Sequence, residues 1–450
     1  MCGFFFSTID NFEASQHGRL IARGPDAIKD VTVNGCRLVH THLSIFSEQH
    51  EQPFIDSERE LALMFNGEIY NCPADKTESH FIIQQYSQFG LAGFKNLDGE
   101  FAIVIVDFSN DELIFATDPF GTKPCFYSAS NGLHVSSYPS SIARHGINPD
   151  TIFSARPNTA YRYSLKTRQL VEVQELIQWN LEQFATSFEG WTEAFNSAVW
   201  KRVNHMRSGH IPFVGISSGY DSGAIHSCLL NQDHEFLGIS LLGKEDANLL
   251  VSRQSLSTEQ NVRHLVVDHF RAKEIAIEQK HVLKGLVEDL EYHIVSDARR
   301  LSGEPQSVLQ DKGSVGLAIV ATIARQNNSL ICISGSGADE IISDYGFGGR
   351  PIYQHSNFGG HWPDNLSNIF PWASFYGSTQ QAYIRKEEAI GGAYGIETRY
   401  PFLDKAVVQA WLNISPKLKN QEYKSCIANY LRNNAYPFKV EKKGFSPWAA

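Results

Sequence analysis

A change of hydrophobic rhythm near residues 165–190 constrains this chain more than any other feature. Before it, apolar residues come in short runs bounded by turn residues: LALMF at 61–65, FAIVIVDF at 101–108 and ELIFAT at 112–117. Short strands at that spacing predict stacked antiparallel sheets. After it, strand-like runs alternate with helical stretches. The run Ile211-Pro-Phe-Val-Gly-Ile216 precedes a Ser/Gly turn and a helix over 224–230. The helical GLAIVATIARQ at 316–326 precedes the apolar run 330–333 and a second Ser/Gly turn. That alternation predicts a parallel α/β sheet. At the join, TRQLVEVQELIQWNLEQ (167–183) reads as a last hairpin strand and a helix leading into the second half. The expectation is two domains, 1–175 and 190–450, in keeping with 450 residues being too many for one ordinary core.

Composition excludes several function classes. With 42% hydrophobic and 20% charged residues the chain has the balance of a globular protein. A net charge of -10 argues against nucleic acid held through its phosphates. No apolar run approaches membrane-spanning length, so no membrane partner is expected. The start, MCGFFFSTID, lacks the basic stretch and cleavage site of a signal peptide. The seven cysteines are scattered and never form a CxxC pair, which predicts a reducing, cytoplasmic setting and no zinc site.

Cys2 follows the initiator Met. Once that Met is removed, one residue carries a thiol and a free α-amine of reference pKa about 7.7–8.0, able to serve as base for its own nucleophile. A Met-Cys start is common by chance, and the Asn-Gly of Asn66-Gly-Glu-Ile-Tyr-Asn71 reads first as a hairpin turn. The order of segments changes that balance. MCGF, Arg23-Gly-Pro-Asp26, Asn66–Asn71 and Asp118-Pro-Phe-Gly-Thr-Lys-Pro124 together resemble the class II glutaminase domain of glutamine-hydrolysing asparagine synthetases, an Ntn-type sandwich of antiparallel sheets in an α+β fold. The resemblance implies Cys2 as nucleophile and Asn66 with the Gly67 N–H as oxyanion donors. It implies Glu68 as a receptor for the substrate ammonium. Where the family has an Arg for the glutamine carboxylate this chain has His42, and where it has an Asp for the amine this chain has Glu78. His42 offers one charge-assisted contact when protonated, which predicts pH-sensitive glutamine recognition.

The second half carries Ile216-Ser-Ser-Gly-Tyr-Asp-Ser222 between a strand and a helix. Taken alone it reads equally well as a Ser-rich helix cap. It is similar to the SGGxDS loop of N-type ATP pyrophosphatases, with Ser218 in place of the first Gly. Ser217, Ser218, Gly219 and Ser222 are then expected at ATP phosphates, and Asp221 at Mg²⁺. Ser334-Gly-Ser-Gly-Ala-Asp-Glu340 is similar to the family's SGEGxDE segment, implying Ser334 and Gly335 at ATP and Asp339 as second metal carboxylate. Gly395-Ile-Glu-Thr-Arg-Tyr-Pro-Phe-Leu-Asp404 matches GxExRxPFLD, and Lys442-Lys-Gly-Phe445 matches the terminal lysine motif. Lys443 would stabilise charge on the separating phosphates, with Lys424 a second basic candidate.

Ser336 stands where asparagine synthetases have Glu, in the acceptor pocket. Serine supplies no carboxylate base there, which puts aspartate as acceptor in doubt. The expected reaction has three steps: Cys2 releases ammonia from glutamine, MgATP converts a small-molecule or peptide carboxylate to an acyl-adenylate, and ammonia crosses an internal channel to displace AMP. Amidation of a carboxylate other than aspartate is favoured. True asparagine synthesis, lactam or macrolactam formation, and a non-catalytic sensor or assembly protein are the alternatives. A homodimer is the assembly anticipated.

Overall fold

The computed structural model describes residues 2–9, 18–45, 51–204, 209–243, 245–287, 289, 308–309, 311–439 and 447. The chain divides into two compact units, Met1–Gln178 and Trp179–Ala450.

Two six-stranded antiparallel sheets make up the first unit. One has the order β10-β8-β9-β1-β3-β2, from β1 (Gly3–Ser7), β2 (Ala27–Val33), β3 (Cys36–His42), β8 (Phe126–Ser128), β9 (His134–Ser136) and β10 (Phe153–Ser154). The other has the order β12-β11-β7-β6-β5-β4, from β4 (Phe54–Asp56), β5 (Leu61–Ile69), β6 (Gly99–Asp107), β7 (Glu112–Thr117), β11 (Thr159–Ser164) and β12 (Leu170–Glu175). Successive side chains of a strand point to opposite faces. Phe4, Phe6 and Leu38 thus meet Met64, Val104 and Phe115 in one core between the sheets. Phe5 and Val39 face the other way, onto Leu20 of α1 (Gly18–Arg23) and Ile142 of α3 (Pro139–Ala143). Leu63, Phe65 and Ile103 pack against Phe81, Ile82 and Tyr86 of α2 (Glu78–Phe89). The sandwich therefore has four layers, helix, sheet, sheet, helix. Burial on both faces is why these strands read as continuous apolar runs rather than alternating ones.

The stretch after β12, read from sequence as starting a helix, is irregular, and the next helix begins at Glu189. The Asn158 amide brackets Ile177, accepting from its N–H at 2.9 Å and donating to its carbonyl at 2.8 Å. Those bonds hold the backbone extended.

The second unit is a parallel five-stranded sheet of order β15-β14-β13-β16-β19. Its strands are β13 (Phe213–Gly215), β14 (Leu237–Leu241), β15 (Arg263–Val267), β16 (Ile331–Ile333) and β19 (Glu397–Arg399); a small hairpin, β17 (Gly346–Phe347) and β18 (Arg350–Pro351), lies outside it. Helices α4 (Glu189–Asn204), α5 (Tyr220–Asn231), α6 (Ala247–Glu259), α7 (His269–Glu278), α8 (Lys312–Gln326) and α9 (Ser378–Ala393) belong to this unit. Phe213, Leu237 and Ile239 form a core with Ile275 of α7, Ile319 of α8 and Ile390 of α9. From β13 the chain winds outward through β14 and β15, then returns to β16 on the other side. The order reverses between β13 and β16, and such a switch point leaves a crevice at the strands' carboxyl ends. Among the described residues no helix is long and apolar enough to cross a membrane.

Candidate functional site

The first site lies at one end of the gap between the antiparallel sheets. Gly3 pairs with Thr41 and Phe4 with His40, which puts Cys2 opposite His42. By strand alternation His40 and His42 share the face occupied by Cys2 and Phe4. His42 Nδ1 lies 3.8 Å from Cys2 Sγ, and the fully buried His40 has its Nε2 3.2 Å from the Phe65 carbonyl oxygen. Burial pushes the Cys2 thiol up, but the charge and hydrogen bonding of His40, and then the hydrogen bond with His42, prevail; the thiol sits well below its ordinary value. A thiolate is the reactive species, so this arrangement primes a nucleophile.

The Cys2 backbone nitrogen donates to Asn66 Oδ1 at 3.0 Å. The same amide's Nδ2 is buried and has no hydrogen-bond partner among the described residues. An unsatisfied buried donor costs about 1–3 kcal/mol and calls for an explanation. Its placement leaves a donor open to a ligand oxygen brought beside Cys2. Gly67 has φ +129°, and a Cβ there would come within 1.8 Å of the Glu100 carbonyl oxygen on the adjacent strand. Only glycine fits both conditions.

The other signature segments brace this corner. Arg23 is buried, and its Nε donates to the Cys2 carbonyl at 2.8 Å. A Cβ on Gly24 would come within 2.4 Å of the Thr41 backbone. Asp118 accepts from the N–H groups of Phe101, Phe120 and Thr122 and from the Thr122 hydroxyl, folding its loop onto β6. Lys123 and Glu100 form a buried ion pair at 3.4 Å.

Two expected glutamine contacts have other partners. His42, anticipated at the substrate carboxylate, stands beside the Cys2 thiol, because its register opposite Cys2 aims it there. Glu78 Oε1 accepts the Ile69 N–H at 2.6 Å, tying the start of α2 to the end of β5. Glu68 is buried near the end of β5. His40 was missed, although the alternation in His40-Thr-His42 was its available signal.

A titration follows from the thiol environment. Inactivation by iodoacetamide is expected to reach half its limiting rate well below pH ~8.5, the ordinary thiol value. Replacing His40 by Ala removes the largest opposing influence and should move that midpoint upward. A wild-type midpoint at or above ~8.5 would contradict the assignment of an activated thiol.

The second site gathers at the switch point of the parallel sheet. The loop after β13 carries Ser217–Ser222 and the loop after β16 carries Ser334–Asp339. They touch: a Cβ on Gly335 would lie 3.0 Å from Asp221 Cβ. Side chains fold the first loop. Ser217 Oγ is 2.8 Å from Ser222 Oγ and accepts the Gly219 N–H at 3.1 Å. The Ser218 N–H, expected to face phosphate, donates to Glu245 at 2.5 Å, as does its hydroxyl. Only the hydroxyl contact requires serine where the family loop has glycine; the N–H contact is open to either residue. Arg253, buried and unforeseen, donates to the carbonyls of Ser217 and Gly219 from one side and to that of Pro437 from the other.

Lys424 sits between the two carboxylates. Its Nζ lies 2.6 and 2.8 Å from the Asp221 oxygens and 2.8 Å from Asp339 Oδ1. Burial favours the neutral amine, but Asp221 and Asp339 dominate and hold the lysine well above its ordinary value. Tyr423 and Ser343 also donate to Asp339 Oδ1, at 3.0 and 3.1 Å. Among the described residues no cluster of three or more His, Cys, Asp or Glu is placed to hold a metal on its own. Two carboxylates fit Mg²⁺, which is commonly held by one or two carboxylates plus substrate phosphates.

Ser336 lies in the second loop, and its hydroxyl donates to Glu387 of α9 at 2.6 Å. The GxExRxPFLD match is structural: Arg399 pairs with Glu397 at 2.6 Å, and Asp404 accepts from Arg202 at 2.8 Å, all buried. Gly337, at φ +96°, presses against Leu403 of that segment. Lys443 lies outside the described residues.

Comparison with known proteins agrees with both halves. A family model for a glutamine amidotransferase domain matches residues 1–178, and one for asparagine synthase matches residues 373–433. The chain is 24% identical over 427 residues to a probable glutamine-hydrolysing asparagine synthetase of Schizosaccharomyces pombe, covering 88% of this chain and 72% of the relative. It is 24% identical over 455 residues to the glutamine-hydrolysing asparagine synthetase of Homo sapiens, covering 89% and 74%. It is also 24% identical over 444 residues to glutamine-hydrolysing asparagine synthetase 2 of Arabidopsis thaliana, covering 93% and 72%.

Proposed function

We propose that this chain, which matches a glutamine amidotransferase domain and an asparagine synthase domain, is an asparagine synthetase-like, ATP-dependent carbon–nitrogen ligase that takes nitrogen from glutamine and amidates a carboxylate through an acyl-adenylate. The observation that carries the reading is the convergence of Asp221 and Asp339, from the two loops at the switch point, on one buried ammonium. Such a cluster suits a triphosphate that must lose pyrophosphate.

The first half-reaction is attack of the Cys2 thiolate on the carboxamide carbon. Once Met1 is removed, the freed α-amine, whose nitrogen lies on Asn66 Oδ1, takes and returns the proton. Asn66 Nδ2 and the Gly67 N–H stabilise the oxyanion. Ammonia leaves, and water then hydrolyses the thioester. In the second half-reaction a carboxylate oxygen attacks the α-phosphorus of ATP, pyrophosphate departs, and ammonia displaces AMP from the acyl carbon. Mg²⁺, held by Asp221 and Asp339, would neutralise charge on the phosphates. Lys424 adds a fixed positive charge beside them, and Lys443 is proposed for the same task.

The expected acceptor is a carboxylate larger than aspartate, since Ser336 is a smaller side chain than Glu at that position, with the Glu387 carboxylate standing beside it. The test is pyrophosphate release from MgATP with ammonium chloride or glutamine across a panel holding L-aspartate, L-glutamate and bulkier carboxylic acids. A bulkier acid should outpace L-aspartate. Efficient conversion of L-aspartate to asparagine would overturn the acceptor assignment. Absence of carboxylate-dependent pyrophosphate release across the whole panel would overturn the ligase reading.

A further inference from the structure

Ser336 leaves the acceptor pocket without the carboxylate its own position would have carried, yet a carboxylate is there. Glu387 lies on α9, far along the chain from the loop after β16. Its Oε1 accepts the Ser336 hydroxyl at 2.6 Å and its Oε2 accepts the Ser334 hydroxyl at 2.7 Å. Ser334 Oγ in turn accepts the Ser336 N–H at 3.1 Å. The two serines thus grip both oxygens and fix the plane of the carboxylate.

We propose that Glu387 is the general base of the second half-reaction, aimed by Ser334 and Ser336, and that it accepts the proton released when the nitrogen nucleophile attacks the acyl-adenylate. The assignment rests on the adenylate reading above. The nitrogen lone pair forms the C–N bond, the C–O bond to AMP breaks, AMP leaves with that electron pair, and one N–H proton passes to Glu387. No other co-reactant is needed.

Three observations support the assignment. An ionised carboxylate has about four acceptor sites; the serines fill two and leave others for a substrate N–H. The location is the carboxyl end of β16, beside Gly335, which touches Asp221 and so belongs to the nucleotide crevice. Burial raises the Glu387 carboxyl above its ordinary value, opposed by the Ser336 and Ser334 hydrogen bonds and the Lys386 charge and reinforced by Glu388, and a raised carboxylate is a better base. Lys386 is itself paired with Asp311 at 3.0 Å.

The test measures two rates on the full chain with MgATP and the best acid of the panel: ATP–pyrophosphate exchange, and amide formation from ammonium chloride. A positioned base is worth roughly 10²–10⁴-fold. Glu387→Gln should lower the ratio of amide formation to exchange by about 100-fold. Hydroxylamine, which is more nucleophilic and whose addition intermediate carries a more acidic N–H that water can take, should recover most of that ratio. Returning a carboxylate from the loop in Ser336→Glu/Glu387→Gln should recover about tenfold, a smaller share than a fully positioned base supplies. An unchanged ratio in Glu387→Gln, or parallel loss of both rates without rescue, overturns the assignment. If wild type shows no carboxylate-dependent exchange, the adenylation reading fails and this one with it. If wild type exchanges normally and Glu387→Gln makes amide at the wild-type ratio, only the base assignment fails.

Discussion

Cys2→Ala is expected to lower glutamine hydrolysis and glutamine-dependent amide formation by at least about 10³-fold, while amide formation from ammonium chloride stays within about twofold of wild type. The first half-reaction needs a thiolate; the second consumes ammonia whatever its source. Parallel assays of glutamate release and of amide formation, from each nitrogen donor, check this. The variant should fold normally, because the removed sulfur meets only the side chains of His40 and His42 at the end of the sheet gap, while the Cys2 backbone keeps its bonds to Asn66 and Arg23. Full glutaminase turnover in Cys2→Ala would place the nucleophile elsewhere.

The second large effect concerns the carboxylate pair. Asp221→Asn and Asp339→Asn should each reduce ATP–pyrophosphate exchange by about 10²-fold or more, through loss of a metal ligand, and leave glutamine hydrolysis unaffected. The structure adds a stability cost. Lys424 is buried between both carboxylates, and either substitution withdraws one of its two counter-charges. Breaking a buried pair costs about 3–5 kcal/mol when the surviving charge is left alone; here a second carboxylate remains, so the loss should be smaller. Thermal unfolding measured beside exchange separates the effects. Unchanged exchange in both variants would refute the pair.

The antiparallel and parallel sheets were legible in the hydrophobic rhythm, because strand and helix periods are written in local sequence. Cys2, Asn66-Gly67 and the two Ser/Gly loops stood out only through their order along the chain, since each alone reads as a chance start, a hairpin turn or a helix cap. Groups that reach a site from elsewhere in the chain were not legible. His40 is a functional neighbour of Cys2 only through the register of β1 on β3. Glu387 meets Ser336 only because α9 packs beside the loop after β16, and a glutamate on a helix otherwise reads as solvated surface. Arg253 and the bridging role of Lys424 are likewise products of packing. The outer helices α1, α2 and α3 were missed because a strand covered on both faces carries no alternation to mark which side meets a helix. Glu397, Arg399 and Asp404, matched in sequence without a role, are buried in ion pairs that hold β19 and its following turn.

The most direct test of the account is the fate of oxygen from the acceptor. With a carboxylate acceptor labelled with ¹⁸O, MgATP and glutamine, the account predicts one labelled oxygen in the AMP produced for every amide formed, with pyrophosphate unlabelled. Unlabelled AMP, or ADP and labelled inorganic phosphate in place of AMP and pyrophosphate, would contradict it.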